Sequence, residues 1–307
     1  MQKGSLASMI VLMAVLLPFP LTRAQTAQPQ RPGTVNDQKA APATAPVLVD
    51  GWGRPVTSLV TGQKPAPAPR HDLSGIWEPA TGPGDGIQPN GPKDMPSDGK
   101  PEHTPPYTPV GLQTQNSHKA LFGTGAVLQA LTTDPADKCD PLGLPRADVF
   151  QLRHTQFFQN ERQVVILYQF EKRWRTIWTD GRELPKEIPE PRWYGYSVGK
   201  WEDDNTLVVH TVGTMGVERA WLDNTGRPVS DAMRVEERFH RVDHDHLELT
   251  LTIDDPKMYT KPWVALNKFP MKLQPPDYDV IEMMCIPSET EKYRSEYGDV
   301  ASETVGK

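Results

Sequence analysis

The sequence has only two cysteines, no excess of positive charge and no apolar run long enough to cross a membrane. Its 33 Lys and Arg residues against 39 Asp and Glu residues give a formal net charge of -6. This balance argues against a phosphate-binding surface, so we expect no nucleic acid partner. The sequence also lacks a Gly-rich phosphate loop, a His-Glu-x-x-His motif, a Gly-x-Ser-x-Gly elbow and a Cys-x-x-Cys pair. From these absences we predict no cofactor and no bound metal.

Hydrophobic residues are scarce and prolines are abundant. Hydrophobic residues make up 37% of the chain, and the 32 prolines are about twice the number expected from average protein composition. Of these prolines, 22 lie at or before Pro145. We therefore expect the packed domain in the second half of the chain.

The N-terminus has the pattern of a signal peptide. Lys3 precedes an apolar run from Met9 to Leu17, and Thr22-Arg23-Ala24 follows as a small-residue cleavage site. The run has about half of the roughly 20 apolar residues that a membrane anchor needs. No cysteine follows to accept a lipid, and no twin arginine precedes the run. The sequence predicts cleavage near Ala24 and a periplasmic or secreted protein without a membrane anchor.

Composition divides the rest of the chain. A Pro- and Ala-rich stretch from Gln25 to Arg70 favours an extended, disordered tether, in which only Leu48 to Val60 is apolar enough to dock. Gly and Pro recur from Gly82 to Pro109, and the spacing of apolar residues predicts a short helix from His118 to Leu131. The predicted organisation is a signal peptide (1–24), a tether (25–70), a loop-rich region with a first strand at 72–77 and a short helix (71–146), an antiparallel β domain (147–287) and a charged C-terminal tail (288–307).

Alternating apolar residues predict an all-β domain. Val164, Ile166 and Tyr168 share one face of a strand, as do Leu247, Leu249, Leu251 and Ile253 in another. Short polar connections at 160–161, 202–205 and 243–245 predict hairpins. We expect about eight antiparallel strands in a lipocalin-like barrel, with a β-sandwich as the alternative. Nine segments are candidates for these strands, at 150–158, 164–170, 173–178, 193–201, 207–212, 233–242, 247–253, 263–273 and 278–285.

Cys139 and Cys285 are the two cysteines of a chain that we expect to be exported. An oxidising compartment favours a structural disulfide between them over free thiols. The disulfide would join the loop-rich first half of the chain to the last predicted strand.

Glu237 is the best candidate for chemistry, because the period of two places it with Met233, Val235 and Phe239 on an apolar face. A buried carboxylate must pair with a cation, bind a ligand or have a raised pKa. A structural ion pair and a general base therefore remain alternatives. His210 alternates with Val208 and Val212, which predicts either an interior proton acceptor or a satisfied core histidine.

Two charged sets lie near predicted turns. Arg175 and Arg182, with Asp180 between them, would place a charged pair at one mouth of the barrel, although Asp180-Gly181 is also ordinary turn chemistry. His240, His244 and His246 lie close together in sequence around the turn at 243–245. Because a polar turn needs no ligand to explain these residues, we expect no metal there.

Aromatic residues are concentrated in the second half, where six of the eight tryptophans lie between Trp174 and Trp263. Such a cluster lines an apolar cavity, forms a platform for sugar rings or simply fills a core. Gly195, Ser197 and Gly199 share a strand face with Trp193 and Trp201, and these small residues favour a cavity. We expect Trp178, Trp193, Tyr196, Trp201, Asp180 and Arg182 to contact the ligand.

Several motifs resemble a widespread family of secreted bacterial proteins of unknown function. They are Trp174 to Arg182, Trp193 to Trp201, Trp221 to Asp223, Ile253 to Pro256 and Tyr259 to Trp263. The resemblance extends from about Asp72 to Pro287 and implies export but no particular reaction. Leu73 to Trp77 also resembles the Gly-x-Trp start of lipocalins.

These observations support three hypotheses. In the first, the protein binds a small apolar or aromatic molecule in a cavity lined by Trp and Tyr. In the second, it is a periplasmic hydrolase or lyase with Glu237 as general base and Arg175 or His210 stabilising negative charge. In the third, it is an envelope interaction module whose tether reaches a protein partner.

Overall fold

The computed structural model describes residues 64–305, with side chains for residues 64–297. The signal peptide and most of the tether, including Leu48 to Val60, therefore lie outside the described residues. Nine strands form a closed barrel in which each strand pairs with its neighbours in sequence and the last pairs with the first. The strands are β1 (Gly75–Pro79), β2 (Thr155–Asn160), β3 (Gln163–Tyr168), β4 (Trp174–Trp178), β5 (Tyr196–Trp201), β6 (Thr206–Val212), β7 (Arg234–Arg241), β8 (His246–Asp254) and β9 (Trp263–Leu273).

The closed β-barrel confirms the prediction of a barrel rather than a sandwich, whereas two details of the prediction are wrong. The described chain contributes nine barrel strands rather than eight, and they are not all antiparallel, because β4 and β5 run parallel. The three predicted hairpins join β2 to β3, β5 to β6 and β7 to β8. The barrel closes where Trp77 of β1 pairs with Leu273 of β9.

The parallel pair requires a crossover, which residues 179–195 provide. Its ladder is short and consists of Ile177 opposite Ser197 and Trp178 opposite Val198. Gly195, just before β5, has a φ of 61°, and a Cβ atom there would lie 2.6 Å from the carbonyl oxygen of Val212. The crossover therefore needs glycine where it passes close to β6.

Alternate residues of the strands fill the inside of the barrel. The inward set is mostly apolar and includes Phe157, Ile166, Ile177, Leu207, Phe239, Leu249 and Phe269. Gly199 faces this core, where a Cβ atom would lie 2.9 Å from Cγ2 of Ile177. The expectation that the small residues of β5 leave room for a ligand is therefore wrong at Gly199, because neighbouring core side chains occupy that space.

Within residues 64–305, three α-helices accompany the barrel, namely α1 (Pro109–Ser117), α2 (Arg146–Val149) and α3 (Pro287–Val305). The predicted helix from His118 to Leu131 is wrong, since only a 3-10 turn at Gln129–Leu131 forms there. The helix lies earlier because Thr108 caps α1 by accepting a hydrogen bond from the amide of Gly111. Within the predicted range, Gly123 and Gly125 have φ values of 85° and 86°, which a helix does not allow.

The C-terminal region also differs from the prediction. Residues 278–285 form no strand and make a single bridge from Met283 to Phe170. The pairing of β9 with β1 closes the barrel and leaves no free edge for a further strand. The predicted tail at 288–307 is helical through Val305. The disulfide between Cys139 and Cys285 is formed, so it joins the loop-rich region to the segment before α3 rather than to a strand.

The described end of the predicted tether contacts the barrel. The carbonyl oxygen of Ala66 accepts a hydrogen bond from the amide of His244 at 2.9 Å. Arg70 forms an ion pair with Asp204 at 2.9 Å, and the ring of His71 stacks on Trp201. The predicted tether thus ends in a segment attached to the turns at one end of the barrel.

Candidate functional site

A buried ion pair crosses the interior of the barrel. Glu237 on β7 points inward between Val235 and Phe239, as the period of two predicts, and it is fully buried. Arg175 on β4 points inward beside Ile177. Its Nη1 and Nη2 atoms donate hydrogen bonds to Oε1 and Oε2 of Glu237 at 3.1 and 2.7 Å. The two charges therefore compensate each other in an apolar core.

Asp148, which no sequence pattern identifies, adds a second carboxyl group to this pair. It lies in α2, all four residues of which are buried, with Oδ2 4.0 Å from Nη1 of Arg175. Burial raises the pKa of Asp148 well above its ordinary value, and the negative charge of Glu237 raises it further, while Arg175 offsets only part of this rise. The environment of Asp148 therefore favours the neutral form of its carboxyl group.

Buried hydroxyl groups lie on the inner wall of the barrel beside these charged residues. Ser197 of β5 and Thr211 of β6 are buried opposite each other, with their hydroxyl oxygens 2.8 Å apart. Tyr168 at the end of β3 is buried near Asp148, and burial followed by the negative charge of Asp148 raises the pKa of its hydroxyl well above the ordinary value. We use the name polar cluster for Arg175, Glu237, Asp148 and Tyr168.

His210 does not belong to this cluster. In β6 the residues that point inward are Leu207, Val209 and Thr211, so His210 points outward with 55% of its side chain exposed. Its Nδ1 atom lies 3.8 Å from Glu236, which is also on the outer face. The prediction of an interior histidine is wrong, and His210 cannot act on the same reacting atom as Glu237 because the wall of the barrel separates them.

The predicted charged pair at the barrel mouth is also corrected. Arg175 is inside the barrel, whereas Arg182 is outside and pairs with Asp180 through hydrogen bonds of 2.9 and 2.7 Å. The guanidinium of Arg182 lies over the ring of Trp178 at 3.6 Å. The alternation of β4 explains this separation, because Arg175 and Ile177 face inward while Trp174, Thr176 and Trp178 face outward.

The outer surface of the β4–β5 pair holds a groove with a volume of about 740 Å³. We call it the aromatic groove and define it by Trp174, Trp178, Trp193, Tyr194 and Tyr196. Trp174 is 67% exposed, which is unusual for so large an apolar ring. Four of the predicted ligand contacts, namely Trp178, Arg182, Trp193 and Tyr196, thus line one groove, but on the outside of the barrel and not in its interior.

Arginine side chains order the rings of the aromatic groove. Arg192 stacks over Tyr196 at 4.1 Å, in the same way that Arg182 stacks over Trp178. The hydroxyl of Tyr196 donates a hydrogen bond of 2.9 Å to the carbonyl oxygen of Glu190 in the crossover. These contacts hold the ring planes in place before any ligand arrives, which reduces the entropic cost of binding.

Trp201 lies apart from the other predicted contacts. It lines a separate groove of about 580 Å³ together with Leu184, Val208 and the outward-facing His210. His71 stacks on Trp201 with the ring centroids 4.8 Å apart. Trp201 is the last residue of β5, whereas Tyr196 of the aromatic groove is the first, and this places the two at opposite ends of the strand.

The histidines near the β7–β8 turn each contact a different residue. His240 is 2.9 Å from the hydroxyl of Thr206, His244 is 2.6 Å from Asp245, and His246 is 2.8 Å from Asp243. Among the described residues, no three His, Cys, Asp or Glu side chains are grouped to hold a metal ion. Local hydrogen bonds account for the composition of this turn.

The chain matches no known family model, no curated protein and no solved structure. Within residues 64–305, no helix combines the length and the apolar content of a membrane span. The disulfide is compatible with an exported protein, because such bonds persist in oxidising compartments.

Proposed function

We propose that this protein is an exported binding protein for a small apolar or aromatic ligand, which lies in the aromatic groove on the outside of the barrel. The observation that carries the proposal is a groove of about 740 Å³ lined by three tryptophans and two tyrosines. This volume falls within the range of small-molecule sites, which are mostly apolar with a few polar groups. Export and membership of a secreted bacterial family are parts of the same proposal.

The catalytic alternative has less support. A general base must come within hydrogen-bond reach of its substrate. Glu237 is fully buried, both of its oxygens accept hydrogen bonds from Arg175, and it does not line the aromatic groove or three further grooves of the described surface. This geometry favours the structural ion pair. The envelope-module alternative concerns the tether and stays a prediction.

Titration of the purified mature protein with small neutral aromatic compounds, such as naphthalene and indole, tests the proposal. We expect saturable quenching of tryptophan fluorescence, because stacking of a ligand ring perturbs the exposed indoles. Calorimetry then compares variants without relying on a tryptophan signal. Trp178→Ala should weaken binding about two- to tenfold, since an aromatic contact contributes about 0.5 to 1.5 kcal/mol.

The matched control is Phe158→Ala, which removes an exposed aromatic side chain from β2 that does not line the aromatic groove. Its affinity should equal that of the unmodified protein. Linear, unsaturable quenching across the whole panel would show that the groove holds no such ligand. An equal loss of affinity in both variants would place the binding elsewhere.

A further inference from the structure

Several buried polar atoms of the polar cluster make no well-formed hydrogen bond, although the Asp148 carboxyl lies close enough to the Tyr168 hydroxyl to interact with it. They are Nε of Arg175, Oδ2 of Asp148 and the hydroxyl oxygen of Tyr168. The three residues are no more than 3% exposed. Buried polar atoms nearly always have partners, and each exception calls for an explanation. Three exceptions around one charged cluster indicate a place where a polar group of another molecule is accommodated.

The same part of the barrel wall has the weakest backbone pairing. From Trp174 to Thr176, β4 has no ladder partner in β5, because the parallel ladder begins only at Ile177. We call this weakly paired boundary between β4 and β5 the seam. Arg175 and Ser197 belong to the seam and also line the aromatic groove. Tyr194, another groove residue, stacks on Tyr168 of the polar cluster with the ring centroids 5.6 Å apart. The groove and the cluster are therefore separated by a single layer of residues at the seam.

We propose that the ligand of the aromatic groove carries a neutral hydrogen-bonding head group, such as a hydroxyl or an amide, which enters between β4 and β5 and bonds to Tyr168, Asp148 and Arg175. The inference rests on the proposed function and adds the chemistry of the ligand. Arg175 Nε supplies a donor, whereas the Tyr168 hydroxyl and the Asp148 carboxyl can donate or accept. A hydroxyl or an amide, which both donates and accepts, satisfies this combination.

The charges of the cluster exclude an anionic head group. Arg175 is already neutralised by Glu237, with which it shares two hydrogen bonds. A carboxylate brought to this place would lose its hydration and would face the Glu237 and Asp148 carboxyl groups. A neutral head group avoids both costs, so the site should select against acids of the same ring size.

Three probes with one ring system test the proposal by calorimetry at pH 7, namely 2-naphthol, naphthalene and 2-naphthoate. The unmodified protein should bind 2-naphthol about tenfold more tightly than naphthalene. The reason is that one additional hydrogen bond in a buried site increases the affinity about tenfold. It should bind 2-naphthoate most weakly. Tyr168→Phe should remove the preference for 2-naphthol and leave the affinity for naphthalene unchanged.

Tyr107→Phe is the matched control, because the Tyr107 hydroxyl bonds to Gln115, away from the cluster. It should leave all three affinities unchanged. Asp148→Asn keeps a donor and an acceptor without a titrating group, so it should retain the preference for 2-naphthol. If naphthalene and 2-naphthol bind equally and Tyr168→Phe changes neither affinity, the head-group site is refuted while the aromatic groove stands. Tighter binding of 2-naphthoate refutes the neutral head group, and no binding of any probe refutes the proposed function itself.

Discussion

The guanidinium of Arg175 donates two hydrogen bonds to the carboxylate of Glu237 across the interior of the barrel, from β4 to β7. The two residues are 62 positions apart in the chain and share no strand ladder. Each would be a costly isolated charge without the other. This mutual dependence leads to the first prediction.

Removing one partner of this ion pair should destabilise the protein strongly. We expect Arg175→Met or Glu237→Leu alone to lower the free energy of unfolding by about 3 to 5 kcal/mol, because each leaves an uncompensated buried charge. The double variant should lose much less than the sum of the two. Urea unfolding measures all three. The exposed pair of Arg238 and Glu202 provides the comparison, where Arg238→Ala should cost at most about 1 kcal/mol. Additive losses would contradict a coupled pair.

Asp148→Asn should stabilise the protein, and increasingly so as the pH rises. The pKa of Asp148 is raised by burial and then by Glu237, so the folded protein retains a proton that the unfolded chain releases above its ordinary pKa of 3.8. Stability from this residue is therefore present at low pH and falls as the pH rises toward the folded-state pKa. The slope within that window is about 1.4 kcal/mol per pH unit. Unfolding of both proteins between pH 4 and pH 8 measures the difference, and a constant difference would contradict the raised pKa.

Loss of the disulfide should cost about 4 to 5 kcal/mol of unfolding free energy in the chain-entropy model, because the bond closes a long loop. Cys139 and Cys285 are 146 residues apart in sequence. The measurement is thermal and urea unfolding of the unmodified protein with and without a reducing agent. The variant with both cysteines replaced by serine is the control, and a reducing agent should leave its unfolding unchanged. Equal stability of the reduced and oxidised proteins would show that the bond contributes nothing.

Glu78→Gln should destabilise the protein at neutral pH and much less in acid. Although burial favours the neutral carboxyl, hydrogen bonds from His154 and Lys272 lower the pKa of Glu78 below its ordinary value of 4.5. His154 Nε2 lies 2.8 Å and Lys272 Nζ 3.0 Å from its oxygens. The stability from this carboxylate is therefore present above pH 4.5 and lost as the pH falls through the folded-state pKa.

We expect a loss of about 1 to 3 kcal/mol for Glu78→Gln at pH 7, measured by urea unfolding, because charge-assisted hydrogen bonds in a buried site are removed. Glu202→Gln, at the exposed partner of Arg238, is the control and should change stability by about 1 kcal/mol or less. A loss from Glu78→Gln that stays the same at pH 3 and pH 7 would contradict the lowered pKa.

Local patterning predicted much of the barrel. The alternation in β3, β7 and β8 and the polar turns between strands identified the hairpins, because both signals depend on residues close in sequence. The same alternation placed Glu237 on an inward face. It did not identify Asp148, whose four-residue helix α2 is too short to show a helical period.

When both faces of a strand carry apolar residues, the sequence pattern does not show which face points into the barrel. In β6, Leu207 and Val209 alternate with Val208, His210 and Val212, so the pattern does not say which set points inward. The barrel decides it, because Val209 is paired with Glu237 and must share its inward face. His210 consequently faces solvent. The sequence pattern of β4 likewise could not show that Arg175 forms an ion pair with Glu237.

By itself, the sequence determined an all-β domain, the hairpins, the inward carboxylate of Glu237 and a disulfide between its only two cysteines. Only the tertiary structure decided the parallel β4–β5 pair, the partner of Glu237, the buried Asp148 and the position of the aromatic residues on the outer wall. The physical reason is that strand patterns arise from neighbouring residues, whereas ion pairs, grooves and raised pKa values arise where distant segments meet. The closed barrel brings those segments together.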